Sequence, residues 1–465
     1  PLRLASKKCR GRLKTMTVMN KNRFGRLFLL LGIASLASAC KVLGPNYAPP
    51  ATPTPSAYKE AAKTPKSASQ MDAKWWTLYG NAELDQLIAE VELKNYSLQA
   101  AAARTNQARA LTEVALASKL PTVVAGGQND LGILANWEID LWGRIQRSIE
   151  ASGATAQASA ADLAAMKLSL QAQLAQNYFN LRVQDEQIRL LQETTVAYER
   201  LLKVTQNQYA VGVADRSAIL QVQSQINTVQ SQMHEVKVSR AQLEHAIAVL
   251  VGKPPADFAI AKSPLTAQVP EVPAALPADL LLRRPDIAAA ERRMAAASAK
   301  IGEAEASAYP SLNLFAGVSI RKGLLGGAKT LFPLYSGGAT KAKQSEASLA
   351  YEVEIANYQQ AVLNAFRDVE DNLAGMQSLE AAAENKAEAV KSARAALSIM
   401  NNQQQVGIIH YPTLISAQTA ALDSEKVGLD ILAKRLVASV NLMKALGGGW
   451  QPSELDAYAT PVAKK

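Results

Sequence analysis

From Ala154 to Val211 the chain contains neither glycine nor proline, and Gly153 and Gly212 bracket the run. These 58 residues (154 to 211), rich in Ala, Leu, Gln, Glu and Arg, read as one helix of roughly 87 Å at 1.5 Å per residue. That is far longer than the helices of ordinary globular domains, which average about a dozen residues. Leu174, Leu181, Ile188, Leu202 and Tyr209 fall on one heptad position, with Leu170, Leu191 and Tyr198 on the other. Such a comb marks a helix packed against other helices. Asn177, Gln184, Thr195 and Thr205 interrupt the seam, so the packing is expected not to be dry along its whole length.

A second rod runs from Ala339 to Val406, broken only by Gly375, and two rods in one chain point to an internal repeat. Gly212 and Gly407, Gln223 and Gln418, and Gly252 and Gly447 are each 195 residues apart, whereas Pro121 and Pro310 are 189 apart. The offset is constant on the helical side and drifts around the segments between proline and glycine, so insertions concentrate there. Each half reads as short helix, extended segment, long helix, turn and short helix. The fold class that follows is mainly α, built of long antiparallel coiled-coil helices with an internal two-fold repeat.

The formal net charge of +10 suggests a basic protein until its distribution is examined. Residues 1–39 hold nine Lys and Arg and no acid, which leaves +1 for the rest. A nucleic-acid partner therefore has no compositional support. The basic residues precede the apolar run Phe28 to Leu36 and the small residues Ala37-Ser38-Ala39 before Cys40, the arrangement of a secretory signal. The apolar run is about ten residues, too short for a membrane-spanning helix, which needs about 20. Translation is expected to start at Met19 or Met16, which places Cys9 outside the expressed protein. Cys40 is then the only cysteine of the mature chain, and no intrachain disulfide can form.

The segment at Cys40 resembles a lipoprotein signal, whose cysteine becomes the acylated, palmitate-bearing first residue, and Lys41 after it fits outer-membrane sorting. The alternative is ordinary cleavage after Ala39, leaving a free N-terminal cysteine. Pro45, Pro49, Pro50, Pro53 and Pro55 then make an extended tether, within a segment of residues 40–74.

The body opens with Trp75-Trp76-x-x-Tyr79-Gly80-Asn81-x-x-Leu84, followed by Asn95-x-x-Leu98. Further signatures are Trp137-Glu138-Ile139-Asp140-Leu141-Trp142-Gly143-Arg144, Arg284-Pro285-Asp286-Ile287 and Ile301-Gly302-x-Ala304-x-Ala306-x-x-Tyr309-Pro310-Ser311. In this order and spacing, over residues 75–450, they resemble the TolC-like outer membrane factor family of outer membrane efflux proteins, in its NodT-type lipoprotein branch. The resemblance implies a trimer whose long helices form a periplasmic α-barrel beneath a transmembrane β-barrel. It also implies two partners, a periplasmic membrane-fusion adaptor and an inner-membrane pump of the resistance-nodulation-division type.

Residue alternation supports the strands independently. Leu131, Ile133, Trp137, Ile139 and Leu141 alternate mostly with polar residues and glycine, as do Leu312, Leu314, Val318 and Ile320. Each run spans eleven residues, and a membrane-crossing strand needs about 9–11 with one apolar face, so these residues are expected to face lipid. Their hairpin partners are placed at Lys119 to Gly127 and Ala328 to Ser336, with Lys322 to Gly327 as the second loop. The strands thus occupy about residues 119–141 of a first repeat (75–250) and about 311–336 of a second (278–447). Four strands cannot close a barrel alone, whereas three chains supply twelve.

Residues 251–277, with six prolines, separate the repeats. They resemble, with the tail 448–465, the family's mid-height belt, although a plain linker fits the same periodicity. The apolar turns Val211-Gly212-Val213 and Val406-Gly407-Ile408-Ile409 suit adaptor docking. In the branch resembled, an apolar residue, an acid and an arginine stand near the gate, where this chain has Pro412, Ser416 and Thr419. A seven-residue step continues that stripe to Asp423, which lines the lumen or lies on a solvated outer face. His234, His245 and His410 have no second ligand at metal spacing, and no catalytic constellation or cofactor motif is present. The function expected is therefore a passive outer-membrane export duct for drugs or other small toxic compounds. The alternatives are a type I protein-secretion duct or a lipid-tethered periplasmic coiled-coil scaffold.

Overall fold

The computed structural model describes residues 42–50, 54–60, 74–126, 132–266, 268–270, 283–321, 323–332, 335–405 and 408–459. The repeat is visible in element lengths. Helices α2 (Tyr96–Ala117) and α5 (Pro285–Ala306) have 22 residues each, α3 (Arg144–Ala210) and α6 (Ala339–Gln405) 67 each, and α4 (Arg216–Leu250) and α7 (Tyr411–Ala445) 35 each. A further helix, α1 (Ala82–Lys94), precedes α2, and Asn81 caps it by accepting from the Leu84 amide at 3.0 Å. The rods expected from the absence of breakers are therefore real.

The first rod begins ten residues before the expected start at Ala154. Gly153 lies inside α3, and the boundary is Gly143, whose φ of +79° no helix interior adopts. One glycine in a helix costs only about 1 kcal/mol relative to alanine, too little to stop a helix of this length.

The chain divides into two compact units. The first, residues 1–47, 114–151 and 297–350, contains an antiparallel sheet of strands β1 (Thr122–Gly126), β2 (Gly132–Ile139), β3 (Ser311–Ser319) and β4 (Gly323–Leu331), in spatial order β1-β2-β3-β4. Among the described residues, β1 pairs only with β2 and β4 only with β3. The sequence reading misplaced the second hairpin, because β4 starts at Gly323 within the expected loop and ends at Leu331 rather than Ser336. One of its glycines, Gly327, is a strand residue for a packing reason. Gly327 pairs with Phe315, and a Cβ there would stand 2.9 Å from the Phe315 ring, so the glycine gives the aromatic its place on the sheet.

The second unit, residues 48–113, 152–296 and 351–465, is helical. Leu174, Leu181, Ile188, Leu191 and Tyr198, which the heptad comb selects on α3, are at most 1% exposed. They join two cores, one with Trp75, Ile88, Ile247 and Met443, the other with Val222, Val229 and Leu422. The seam is drier than expected at its threonines. Thr195 and Thr205 are buried and donate their hydroxyls to the carbonyls of Leu191 and Leu201 at 2.8 and 2.9 Å, which satisfies the polar group within the helix itself.

Candidate functional site

Register decides which strand residues share a face, because side chains alternate along each strand. Ile133 pairs with Val318, Trp137 with Leu314 and Ile139 with Leu312, so the two runs read separately in the sequence form one apolar face. Val123, Ala125, Leu324 and Ala328 extend it across both outer strands, and no charged residue stands on it. Asn136, Glu138, Asn313 and Lys329 occupy the other face. Leu131 lies outside the described residues, Leu141 follows the end of β2, and Ile320 sits at the β3–β4 turn, 78% exposed. Glu138 takes a forked ion pair from Arg144 at 2.8 and 2.9 Å, and the Trp142 indole donates to Pro310 O at 2.8 Å while its ring packs on Tyr309.

Cys40 lies outside the described residues, but the chain that follows it is held in a socket of the same unit. The Leu43 amide donates to Trp142 O at 3.1 Å. Arg147, 5% exposed at its side chain, donates to Leu43 O (2.9 Å), Gly44 O (3.1 Å) and Asn46 Oδ1 (3.0 Å), and pairs with Glu150 at 2.7 Å. A Cβ at Gly302 would meet both Leu43 O and Arg147, and one at Gly143 would meet Val42. The glycines of two signature motifs thus make room for the segment after the tether's cysteine. Arg147, which no motif singled out, is the residue that grips it.

In the helical unit, the two turns ending the long helices expose apolar side chains: Val211 and Val213 are each 74% exposed and Ile408 70%, while Ile409 is half-buried. Gly212 closes the first turn with φ +81°; Val406 and Gly407 lie outside the described residues. Next to the turns, Tyr411 Oη donates to Gln208 Oε1. That bond is one of a ladder between α3 and α7. Gln187 donates to Asp430 at 2.7 Å, Gln176 to Asn441 at 2.6 Å, and the hydroxyls of Tyr198 and Thr419 lie 3.1 Å apart.

Pro412, Ser416 and Asp423 are exposed on one side of α7, and Thr419 is half-buried toward Tyr198. Burial pushes the Tyr198 phenol above its usual range; Thr419 opposes this and the charge of Asp423 adds to it. Asn180, Gln184, Asn372, Asp430, Lys434 and Asn441 line a polar recess of about 410 Å³ farther along the same side of α7.

The described part of the proline-rich segment after α4 is pinned at Ile260 and Ala261. Arg182 donates to Ala261 O (2.7 Å), Arg240 to Ile260 O (2.6 Å), and Glu244 accepts from the Ile260 amide (2.7 Å). Asp185 sits between both arginines, at 3.0 and 2.7 Å, and Glu83 completes the cluster against Arg182. Arg182, Asp185 and Arg240 are respectively 2%, 4% and 12% exposed at their side chains. Burial disfavours the charge of Arg182, but its interaction with Tyr178 and the hydrogen bond it donates to Glu83 outweigh it and hold the guanidinium above its usual range.

Two other signatures find one explanation. Asn95 donates to Leu250 O at 2.9 Å, and Arg284 donates to Ala445 O at 3.3 Å. In each repeat the residue at the foot of a short helix caps the last carbonyl of the 35-residue helix, as a helix C-terminus requires. Arg284 also pairs with Asp286 (2.7 Å) and Asp368 (3.3 Å).

Among the described residues no cluster of His, Cys, Asp or Glu could hold a metal, and no helix is long and apolar enough to cross a membrane. A family model described as "Outer membrane efflux protein" matches residues 87–253 and 276–448. The chain is 30% identical over 462 residues to the pyoverdine export outer membrane protein OpmQ of Pseudomonas aeruginosa, covering 90% of this chain and 97% of that one. It is 28% identical to the probable outer membrane lipoprotein SilC of Salmonella typhimurium, over 91% and 97% of the two chains. The solved structure of the outer-membrane channel OprN superposes with a TM-score of 0.82 at 25% identity, covering 88% of this chain and 100% of that one.

Proposed function

From the premise that this chain belongs to the outer membrane efflux protein family, we propose that three copies assemble into the outer-membrane duct of a tripartite pump, open to small toxic compounds. The observation that carries the trimer is the sheet, whose outer strands β1 and β4 each leave one edge without a partner among the described residues. Unpaired backbone cannot face lipid, and three four-stranded sheets joined edge to edge make twelve strands. The apolar face through Ile133, Trp137, Ile139, Leu312, Leu314 and Val318 is the lipid face, which Leu131, Leu141 and Ile320 extend at its ends; Asn136, Glu138 and Asn313 turn to the channel. Mass photometry of detergent-solubilised protein is expected to give three subunits, and planar bilayers to show ohmic conductance. A folded monomer would overturn this reading.

Val211, Gly212, Val213, Val406, Gly407, Ile408 and Ile409 dock a periplasmic adaptor, which links the duct to an inner-membrane pump of the resistance-nodulation-division type. The exposed apolar side chains of Val211, Val213 and Ile408 support this use. Cys40 carries the acyl anchor, and the grip of Arg147 on Leu43 and Gly44 keeps that anchor within a few residues of the sheet. Intact mass of membrane-extracted protein is expected to equal a chain starting at Cys40 plus its acyl groups; an unacylated mass at that start would refute the anchor.

Pro412, Ser416, Thr419 and Asp423 line the lumen, where three Asp423 carboxylates form a ring that favours cations, as carboxylate rings do in pores. Reversal potentials under a salt gradient are expected to show cation preference that Asp423→Asn reduces toward zero. An unchanged preference would move Asp423 to the outer surface.

A further inference from the structure

A groove of about 530 Å³ lies among α3, α6 and α7 in the helical unit. Its floor is apolar, with Leu190 from α3, Val390 from α6, and Leu429 and Leu432 from α7. Arg189, Lys386, Lys391, Arg394 and Arg435 surround that floor, against one lining carboxylate, Glu425. Most of these cations are already engaged. Arg394 holds Glu425 at 2.6 Å, Arg189 holds Glu186 and Glu193, Lys391 lies 3.5 Å from Glu388, and Arg435 lies 4.0 Å from Glu380. Lys386 differs. Its half-buried ammonium meets the Ser424 hydroxyl at 3.4 Å and no carboxylate within 4.0 Å among the described residues. The Nε of Arg435 is buried without a hydrogen-bond partner among them.

We propose that this groove is a binding site for an amphipathic organic anion, with an apolar body on Leu190, Val390, Leu429 and Leu432 and its acidic group at Lys386 and Arg435. Three features select that class. The volume falls within the roughly 300–1,000 Å³ of small-molecule sites, which are mostly apolar with a few convergent polar groups. The unsatisfied donors are cationic, so the ligand's acceptor is anionic, and hydrogen bonds between charged partners are about twice as strong as neutral ones. Gly428 lies in the groove lining, where a Cβ would meet only Val390, at 3.7 Å; this mid-helix glycine leaves open a space that a larger residue would fill.

The site is separate from the proposed lumen. At about 100° per residue, Glu425, Gly428, Leu429, Leu432 and Arg435 fall on the side of α7 opposite Pro412, Ser416, Thr419 and Asp423. Resting on the lumen assignment above, the groove opens to the periplasmic side, so its ligand binds beside the transport path rather than in it.

The test uses the full-length trimer in lipid nanodiscs and naphthalene sulfonate as the probe, followed by calorimetry. Saturable binding of one probe per protomer is expected, unaffected by inorganic sulfate and at least tenfold weaker for an uncharged naphthalene alcohol. Lys386→Gln is expected to weaken binding at least tenfold. Gly428→Leu replaces a helix-breaking residue by a helix former, so it should fold as well as the parent while abolishing binding. Absence of saturable binding, or binding that both variants leave intact, would overturn the proposal. Bilayer conductance of the same variants is expected to match the parent, which separates failure of this site from failure of the duct itself.

Discussion

Asp185→Ala is expected to cost about 3–5 kcal/mol per protomer, the range for removing one partner of a buried ion pair. The carboxylate lies between Arg182 and Arg240, and without it two guanidiniums remain out of water with only Glu83 and Glu244 to balance them. The loss should appear first where those arginines hold the linker. Amides of residues 258–266 are expected to exchange with deuterium roughly a hundredfold to several thousandfold faster, at about 1.4 kcal/mol per tenfold. Arg394→Ala supplies the contrast, since its pair with Glu425 is 64% exposed on the arginine side and exposed pairs contribute about 0–1 kcal/mol. If Asp185→Ala leaves linker exchange as slow as Arg394→Ala does, the cluster is not what pins the linker.

The second large effect is expected at a pair of glycines related by the repeat. Gly252 and Gly447 have φ of +71° and +92°. A Cβ on Gly252 would stand 2.5 Å from Lys94 O, and one on Gly447 would overlap Arg283 O. Both obstacles are backbone and cannot rotate aside. Valine at either position meets the left-handed penalty, about 1–2 kcal/mol, together with that overlap, and separates the short helix from the carbonyl that Asn95 or Arg284 caps. Neither variant is expected to yield assembled trimer on semi-native gels. Gly212→Ala has a similar φ of +81° but open space around it, so it should lose only about 1–2 kcal/mol and assemble. Equal assembly of Gly447→Val and Gly212→Ala would show that the close approach is not structural.

Much of this architecture is legible in the sequence because two solvents impose simple periods on it. The rods announce themselves through missing breakers. The apolar strand face follows from alternation, and register then pairs Ile133 with Val318 and Trp137 with Leu314 as the two runs require. What escaped the sequence is of two kinds. Gly327 looks like a loop residue because its reason, the ring of Phe315, is contributed by the neighbouring strand. Arg147 and Arg182 look like two more helical cations, because the groups they hold, Gly44 and Ala261, lie 103 and 79 residues away. The equivalence of Asn95 and Arg284 was hidden for a related reason. An amide and a guanidinium perform the same capping, so the repeat is conserved there in geometry and not in residue type.

The α3–α7 ladder has a kinematic consequence. The rungs Gln176–Asn441, Gln187–Asp430 and Tyr198–Thr419 step by eleven residues on both helices, close to three whole turns. Sliding one helix along the other would therefore break all three together, because no intermediate offset returns donors to acceptors. The rung nearest the turns, Gln208–Tyr411, steps by ten on one helix and eight on the other, and so stands out of that register. The joint is stiff to translation along most of its length and freest to rotate at one end. A joint of this kind lets its turn-side end swing while the other three rungs keep their fit.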